Sequence, residues 1–494
     1  MSISMFFKIK TVKFLLLFLL LFLASCGEVV TTKSKHMPPG ELFDLAKIKE
    51  RGTLIALCRY DPNTYFIYKG RPMGFEYEML SLLAKHLGVK LEMRVPRDWN
   101  NVFALLESGE GDIIGANLSV TLNRLRVATF TEHFRTTRQM LVQRKPRNWR
   151  AMKVHEIEQN MIRNPINLIG QPVYVLKDSP HQKRLQHLAE EIGGRINIVE
   201  APQEWDQSYL IKRVAEGTIK HTISDENIAK GYEAYYGNID ASTPISFPQR
   251  VAWAVRQDAP QLLNAINAWI AVHRDTKNPR FNIIFKKYYR NRAAFAERLS
   301  SGYIYGQKGG SISPYDKLFK KYAKDIGWDW KLIASLAYQE SRFDPHIKSW
   351  MGAVGLMQVL PSTARELGVS YLENPKNNVI AGTRYLARML KLWQRIPDEK
   401  ERVKFVLASY NAGPGHLFDA RALVRKYGGD ENVWDGNVAE YLRKKADKKY
   451  YYDEVVKYGY CRGEEPFKYV EEILARYEIY RSLDEHIEHA NKKQ

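Results

Sequence analysis

The chain has 494 residues, of which 45% are hydrophobic and 12% are aromatic. This length exceeds what a single ordinary core accommodates, and the apolar content is high enough for folding throughout, so we expect at least two globular domains. The formal net charge of +20 favours an anionic partner, such as a nucleic acid, a membrane surface or a carboxylate-bearing polymer. No zinc-finger spacing, RNA-binding aromatic signature or basic heptad region supports the first of these, and we expect no nucleic-acid partner.

The amino-terminal segment has the pattern of a secretory signal. Three lysines precede an apolar run from Phe14 to Leu23, which is about half of the roughly 20 residues that a membrane-spanning helix needs. The Leu-Ala-Ser-Cys tetrapeptide at 23–26 resembles a bacterial lipobox. That resemblance implies a signal peptide at residues 1–25 and a diacylglyceryl group on Cys26. A plain secreted signal and an uncleaved anchor are the alternatives.

The residues after the lipobox indicate where in the cell the protein is anchored. Gly27 rather than aspartate follows the cysteine, and the resemblance to Gram-negative lipoproteins then implies a lipid anchor at the periplasmic face of the outer membrane. Residues 26–45 lack apolar periodicity and are expected to form a tether. The other two cysteines, Cys58 and Cys461, fall in different predicted domains, so we expect two buried thiols rather than a disulfide.

The pattern after the tether is that of an α/β domain. Short apolar or alternating runs at 53–58, 89–95 and 111–115 are typical of strands. Between the first two, apolar residues recur at helical spacing over 79–87, and Gly88 stands where a helix commonly ends. Strands and helices that alternate at this interval predict a mostly parallel sheet covered by helices.

Several elements of this region, in order, resemble the family 3 solute-binding proteins that capture amino acids. They are the Gly-Phe-Glu-Tyr-Glu-Met-Leu run at 74–80, the Thr-Leu-Asn-Arg element at 121–124 with its Phe-Thr-Glu-His-Phe continuation, and the Ser-Asp pair at 224–225. The resemblance covers about residues 46–295. It implies a bilobal α/β domain of the periplasmic-binding-protein type, with the ligand between the lobes.

Two charged residues of these elements are candidate ligand-binding groups. By the resemblance, Arg124 pairs in a bidentate manner with a carboxylate of the ligand, and Asp225 accepts the ligand's ammonium group. The ligand that this implies is an amino acid or a muropeptide. An ordinary surface arginine at a helix start and a structural aspartate are the alternatives.

A change of composition separates this region from the last domain. Residues 296–313 are rich in glycine, which predicts a linker there. Beyond it, a helical stripe of apolar residues that begins at Trp330 continues to Glu340, and Pro345 requires the helix to end just before it. Glu340 is therefore expected in the last helical turn, where partial burial raises the pKa of a carboxyl toward that of a general acid. The periodicity alone leaves a salt-bridged structural glutamate as the alternative.

Three ordered blocks in this domain resemble the soluble-lytic-transglycosylase family with its lysozyme-like fold. They are Glu-Ser at 340–341, Gly-Leu-Met-Gln at 355–358 and Ser-Tyr-Asn-Ala-Gly at 409–413, where alanine is commoner than the first serine. The segment that begins at Tyr469 is similar to the family's carboxy-terminal helix. The resemblance assigns residues 314–485 to a mainly α transglycosylase domain. Its expected substrate is peptidoglycan, which it cuts without water to leave 1,6-anhydro-N-acetylmuramic acid ends.

The resemblance also implies how individual residues act. Glu340 first protonates the glycosidic oxygen while the substrate's own N-acetyl group stabilises the cation, and it then deprotonates the C6 hydroxyl that attacks C1. Tyr410 is expected close to Glu340, and Asn411 either binds substrate or braces its loop. The full set of expected substrate-binding residues is Ser349, Gln358, Tyr410, Asn411 and Tyr469. No cofactor and no metal are expected.

Two other functions remain open on the sequence alone. A hydrolytic muramidase with the same fold releases a product that has gained water, and a non-enzymatic sensor or receptor only grips murein. The intact Glu340 argues against the second. Asp344 is the nearest rival carboxylate, but its place before Pro345 favours a turn residue. His486 and His489 lie three apart, in a pattern that favours a solvated helix over a zinc site.

Overall fold

The computed structural model describes residues 44–492 except 97, 203–204, 275–277, 302–303 and 305–310, with side chains to residue 482. The predicted signal peptide, Cys26 and nearly all of the predicted tether therefore lie outside the described residues, as do part of the linker and the side chains of His486 and His489. In the part of the chain that is described, no helix is long and apolar enough to cross a membrane.

The strands all precede residue 256, and the carboxy-terminal part is helical. In chain order the strands are β1 (Thr53–Leu57), β2 (Phe66–Tyr68), β3 (Arg71–Met73), β4 (Lys90–Arg94), β5 (Ile113–Ser119), β6 (Thr129–Phe130), β7 (Arg135–Thr137), β8 (Gln139–Arg144), β9 (Pro172–Val175), β10 (Asn197–Glu200), β11 (His221–Asp225), β12 (Ile239–Pro244) and β13 (Gln249–Val255).

The α-helices fall into two groups, one that covers the sheets and one that forms the last domain. The first group comprises α1 (Leu45–Arg51), α2 (Phe75–Leu87), α3 (Val102–Glu107), α4 (Leu122–Leu125), α5 (Val154–Gln159), α6 (Pro180–Glu191), α7 (Gln207–Glu216), α8 (Glu226–Tyr236), α9 (Pro260–His273), α10 (Pro279–Phe285) and α11 (Arg292–Ser300). The second comprises α12 (Asp316–Ala323), α13 (Trp330–Ser341), α14 (Pro361–Glu366), α15 (Pro375–Leu392), α16 (Glu399–Ala412), α17 (Pro414–Tyr427), α18 (Ala439–Lys444), α19 (Lys448–Tyr451) and α20 (Glu464–Lys492).

The first lobe is built on a sheet with the strand order β4-β1-β5-β13-β6, and β7 pairs with β13. Strand β1 runs parallel to β4 and β5, whereas β13 runs antiparallel to β5. Leu54, Ile113 and Val255 are fully buried because helices cover the sheet. Helix α2 ends at Gly88, whose φ of 74° is a left-handed conformation that glycine adopts at little cost. The predicted α/β class is confirmed, but the prediction of a mostly parallel sheet is wrong. The sheet is mixed because β13 runs antiparallel to β5, β6 and β7.

The second lobe has its own sheet, with the order β10-β9-β11-β8-β12. The chain enters this lobe between β7 and β8 and returns to the first sheet between β12 and β13. Two crossings between two sheets give the predicted bilobal architecture. Helix α11 packs on the second lobe through Phe295, whose ring lies 5.5 Å from that of Tyr232. This helix runs five residues beyond the boundary expected at residue 295.

The last domain is a helical assembly around α13. Ile333, Ala334, Leu336 and Ala337 of this helix are completely buried. Helix α20 lies alongside it, and the Ser335 hydroxyl donates a hydrogen bond of 2.7 Å to a carbonyl of that helix. The mainly α class predicted for this domain is confirmed, and the catalytic candidate stands at the end of its central helix.

The β2–β3 hairpin of the first lobe packs directly on this helical domain. The Tyr480 hydroxyl of α20 donates a hydrogen bond of 2.5 Å to the Gly70 carbonyl in the hairpin turn. Gly70 has a φ of 74°, and a Cβ atom there would stand 2.5 Å from the Phe343 ring. The prediction of two buried thiols is confirmed, since Cys58 and Cys461 are free and buried.

Candidate active site

Glu340 lies in the last turn of α13, as predicted. Asp329 caps the start of the helix by accepting a hydrogen bond from the Lys331 amide. The end is set at Arg342, which adopts a left-handed φ of 52°. The Ser341 hydroxyl donates 2.8 Å to the Leu356 carbonyl, which ties the end of the helix to the loop that carries the second sequence block.

The carboxyl of Glu340 is partly buried and has one hydrogen-bond partner among the described residues. The Tyr469 hydroxyl donates to Glu340 Oε1. Burial raises the pKa of Glu340 to about 7, and the hydrogen bond from Tyr469 opposes that rise. Within the described part of the chain no cation offsets the burial, so Glu340 keeps its proton to a higher pH than an ordinary glutamate.

Glu340 lines a cavity of about 1060 Å³, a volume typical of ligand sites. Asn411 and Tyr469 lie in the same wall, and most of the other lining side chains are charged. The Arg443 and Lys468 side chains pair with Glu464 at 2.7 and 3.3 Å. The cavity is therefore open, lined mainly by charged residues and large enough for sugar residues.

Tyr410 stands beside this cavity, on α16. Its hydroxyl donates 2.7 Å to the Met357 carbonyl. Burial and then the nearby charge of Glu340 raise the pKa of Tyr410 well above its ordinary value. The charge of Glu340 thus reaches Tyr410, whose role at the site stays a prediction. The unusual Ser409 of the same block also has a structural reason, because its buried hydroxyl accepts a 2.8 Å hydrogen bond from the Trp393 indole.

Ser349 and Gln358 brace the loop between them rather than line the cavity. The Ser349 hydroxyl oxygen accepts a hydrogen bond of 3.0 Å from the Ala353 amide. The Gln358 amide donates to the carbonyls of Ile347 and Gly355 at 3.1 and 2.9 Å. Both side chains are half-buried and neither is among the residues that line the cavity with Glu340. Their substrate-binding roles stay predictions.

The sequence also predicts that Asp344 is a turn residue and that no metal is bound. Asp344 is exposed and accepts a hydrogen bond of 2.9 Å from the His346 amide, which confirms it as a turn residue. In the described part of the chain, no group of histidine, cysteine, aspartate and glutamate is arranged to hold a metal ion.

Sequence reasoning missed a polar network behind Glu340. The Gln339 amide donates 2.7 Å to Glu472, and Arg476 donates 2.9 Å back to Gln339. Both partners lie on α20, more than 130 residues along the chain. No local pattern signals such pairs, although the resemblance of the Tyr469 segment to a family helix pointed to the element that supplies them.

The second candidate site is the interlobe cleft, defined here by Arg59, Asn117, Arg124, His181 and Asp225. The Arg124 guanidinium donates 2.8 Å to the Ser119 carbonyl in the first lobe. Asp225 of the second lobe accepts a 3.0 Å hydrogen bond from Asn117 of the first and lies 3.5 Å from the His181 imidazole.

Charges couple the two predicted ligand-binding residues across this cleft. Burial and the charge of Arg59 lower the pKa of Arg124 to about 10, and Asp225 opposes that shift. Arg124 and Asp225 are thus brought together, as expected. Their roles as ligand groups stay predictions. The sequence did not predict Arg59, Asn117 and His181 as members of this site. Of these, only Arg59 had a sequence signal, since it lies two residues after the carboxyl end of β1, where ligands of parallel sheets bind.

Two known protein families match this chain, one in each domain. Residues 317–433 match the family described as Transglycosylase SLT domain, and residues 54–291 match Bacterial extracellular solute-binding proteins, family 3. The chain is also similar to the structure of an ancestral arginine-binding protein bound to arginine, with 21% identity and a TM-score of 0.40 over 48% of this chain and 99% of that one.

Two full-length relatives share the name Membrane-bound lytic murein transglycosylase F. A protein of Desulfosudis oleivorans is 34% identical over 88% of this chain and 92% of its own length. One of Vibrio cholerae is 31% identical over 90% of this chain and 82% of its own length. The chain therefore belongs to the family of the membrane-bound lytic murein transglycosylase F proteins.

Proposed function

We propose that Glu340 is the one acid–base catalyst with which this chain, a murein-degrading lytic transglycosylase, cuts the β-1,4 bond between N-acetylmuramic acid and N-acetylglucosamine. The observation that carries this is a partly buried glutamate, with its pKa raised to about 7, in the wall of an open cavity. The other carboxylates of the cavity differ from it. Glu440 and Glu464 form ion pairs with Lys444 and Arg443, and Glu472 accepts a hydrogen bond from Gln339.

The geometry suits a two-stage use of one carboxyl. Protonated Glu340 donates to the glycosidic oxygen, and the Tyr469 hydroxyl then stabilises the carboxylate that remains. The substrate's N-acetyl group stabilises the positive charge that develops at C1. The Glu340 carboxylate next takes the proton of the C6 hydroxyl, whose oxygen attacks C1 and closes the 1,6-anhydro ring. A pKa near 7 balances donation against acceptance, as general acid–base catalysis requires.

The remaining roles follow from position. Tyr469 orients Glu340 and tunes its pKa, and Tyr410, which lies near enough to feel the charge of Glu340, assists ring closure. Asn411 contacts sugar inside the cavity. Ser349 offers its hydroxyl proton to the N-acetyl group and Gln358 offers its amide oxygen to sugar, since the hydrogen bonds described for these side chains use the other atoms.

The test is mass spectrometry of purified murein digested by the protein without its signal peptide. We expect soluble products that end in the anhydro sugar, one water lighter than the product of hydrolysis. Hydrated ends would instead establish a muramidase. Murein binding without soluble products would establish a non-enzymatic receptor, and Glu340→Gln serves as the background.

We also propose that Cys26 carries lipid and holds the protein at the periplasmic face of the outer membrane. The lipobox-like sequence and the membrane-bound description of the relatives support this. Cys26→Ser should move the protein to the soluble periplasmic fraction, whereas Ser25→Ala, which keeps the cysteine, should leave it in the membrane. Retention of the serine variant after a high-salt wash would indicate an uncleaved anchor.

For the domains we propose a solute-binding unit at 46–295, a linker at 296–313 and a transglycosylase unit at 314–485. We further propose that an amino acid or a muropeptide bound in the interlobe cleft regulates cleavage. The contact of the Gly70 turn with Tyr480 and Phe343 supports this, because it joins the first lobe to the end of the helix that carries Glu340.

A ligand biases the enzyme only through its differential affinity for two states. Typical coupling corresponds to a change of about 5–150-fold. Lysis rates measured with and without muropeptide should therefore differ for the wild type, and Arg124→Ala should bring their ratio to one. Tight binding to the wild type with no change of rate would contradict regulation and favour a targeting role.

A further inference from the structure

A second arginine lies next to Arg124 in the interlobe cleft. The guanidinium carbon of Arg59 stands 5.1 Å from the centroid of the Trp99 ring, and that of Arg124 stands 5.8 Å from the Phe103 ring. The two rings are four residues apart on one continuous helical segment, so they are neighbours on one face. Each guanidinium group therefore lies over a ring on this face of the first lobe, and the two are close enough for the charge of Arg59 to lower the pKa of Arg124.

Arg59 is free to bind an anion. Its side chain is exposed to solvent although it lies between two lobes, which is the situation of a group that lines an open cleft. Among the described residues it makes no hydrogen bond and no ion pair, and its guanidinium group lies over the Trp99 ring. Arg124 uses one of its nitrogens on the Ser119 carbonyl and keeps the others. Two cations held this close repel each other unless anions separate them.

Carboxylates of both lobes lie near Arg59, but none of them forms an ion pair with it. Desolvation lowers the pKa of Arg59, and the charges of Asp61, Asp206 and Asp225 oppose that shift from a distance. Each of the three is occupied. Asp61 accepts two backbone amides of its own turn, Asp206 caps α7 by accepting from the Tyr209 amide, and Asp225 is held by Asn117 and His181.

Given the solute-binding role proposed above, we propose that the cleft selects a ligand with two carboxylates, of which Arg124 takes one and Arg59 the other. The ammonium group of such a ligand lies against Asp225. The ligand class is thus a dicarboxylic amino acid, free or at the end of a peptide, and Arg59 is the residue that determines this specificity. An interlobe latch between Arg59 and Asp206 is the competing role.

Matched pairs of probes that differ by one carboxylate separate these roles by calorimetry on the whole protein without its signal peptide. The pairs are glutamate with glutamine, each as both enantiomers, and meso-diaminopimelate with lysine. We expect the wild type to bind at least one diacid tenfold or more tightly than its partner, since a charge-assisted bidentate pair is lost in the partner. Arg59→Gln should abolish that preference while the affinity for the monocarboxylate stays within about twofold.

Three further variants make the result decisive. Arg59→Lys keeps the charge and should keep part of the preference. Arg124→Gln should weaken both members of a pair, and Arg195→Gln, at an exposed arginine of the second lobe, should change neither. If glutamine or lysine binds the wild type as tightly as its diacid, or if Arg59→Gln weakens both members equally, the dicarboxylate assignment is wrong while solute binding stands. If none of the probes binds, the solute-binding proposal falls with it.

Discussion

Glu76 and Glu340 lie in different domains and both have a raised pKa, but their surroundings differ. Burial raises the pKa of both Glu76 and Glu340 to about 7. Glu76 is completely enclosed in the first lobe, where the Trp253 indole donates 2.6 Å to one oxygen and the other has no described partner. Glu340 keeps part of its surface in an open cavity and has the Tyr469 hydroxyl as its partner.

The comparison shows that a shifted pKa does not by itself identify a catalytic group. Both carboxyls are shifted because the charged form loses hydration, and each shift is opposed by groups nearby, Arg135 and Trp253 at Glu76 and Tyr469 at Glu340. Only Glu340 lines a cavity that a polymer can enter, because Glu76 is completely buried. Access to the cavity, rather than the protonation equilibrium, makes Glu340 the candidate catalyst.

The largest expected effect separates the two residues directly. Glu340→Gln should lower the rate of murein cleavage by about 10²–10⁴-fold, because it removes the proton donor with little change of shape. The matched variant Glu76→Gln should retain wild-type activity within about twofold. Release of anhydro products measures both, and circular dichroism checks the fold. Equal losses in the two variants would mean that the Glu340 effect is structural.

The pH dependence of cleavage should follow the pKa of Glu340 alone. The free enzyme must hold the proton to start the reaction, so the rate should decline as pH rises through about 7. Well above that point the decline should approach about tenfold per pH unit. Glu76→Gln should leave this profile unchanged. A rate that rises steadily from pH 7 to pH 9 would contradict an acid role for Glu340.

A smaller effect on the cleavage rate is expected when Tyr469, the hydrogen-bond partner of Glu340, is replaced. The Tyr469 hydrogen bond lowers the pKa of Glu340, so Tyr469→Phe should raise that pKa further and move the alkaline limb of the profile to higher pH. The rate at pH 6 should fall by about tenfold because a hydrogen bond to the carboxylate is lost. Tyr477→Phe is the control, since this tyrosine of the same helix bonds Asp329 instead. An unshifted limb in Tyr469→Phe would exclude the tuning role.

The smallest effect concerns stability rather than activity. The folded pKa of Glu76 exceeds the ordinary value of 4.5, so the stability that its proton contributes is present below pH 4.5 and is lost as pH rises through about 7. Glu76→Gln cannot ionise, and its free energy of unfolding relative to wild type should therefore increase from pH 5 to pH 8, on the order of 1–3 kcal/mol. Denaturant unfolding at the two pH values measures this. A relative stability that is flat with pH would show that Glu76 does not titrate in this range.

Much of both sites was predictable, and the reason lies in local constraints. The position of Glu340 follows from a helical stripe and from the proline that ends the helix, both of which are readable within sixteen residues. The cap at Gly88, the strands around it and the turn role of Asp344 follow in the same way. Ser349 and Gln358 were placed in the right loop, but their hydrogen bonds to that loop depend on its path, which no periodicity specifies.

The sequence by itself determined the two domain classes, the family resemblance and the helical turn that carries Glu340, because periods of two and 3.6 residues and glycine or proline constraints act between near neighbours. Only the tertiary structure decided which partners meet there. It set Tyr469 on Glu340, Asn117 against Asp225 and the Gly70 turn under Tyr480. Each of these contacts joins residues more than 100 positions apart, and their geometry depends on how whole sheets and helices pack rather than on any local pattern.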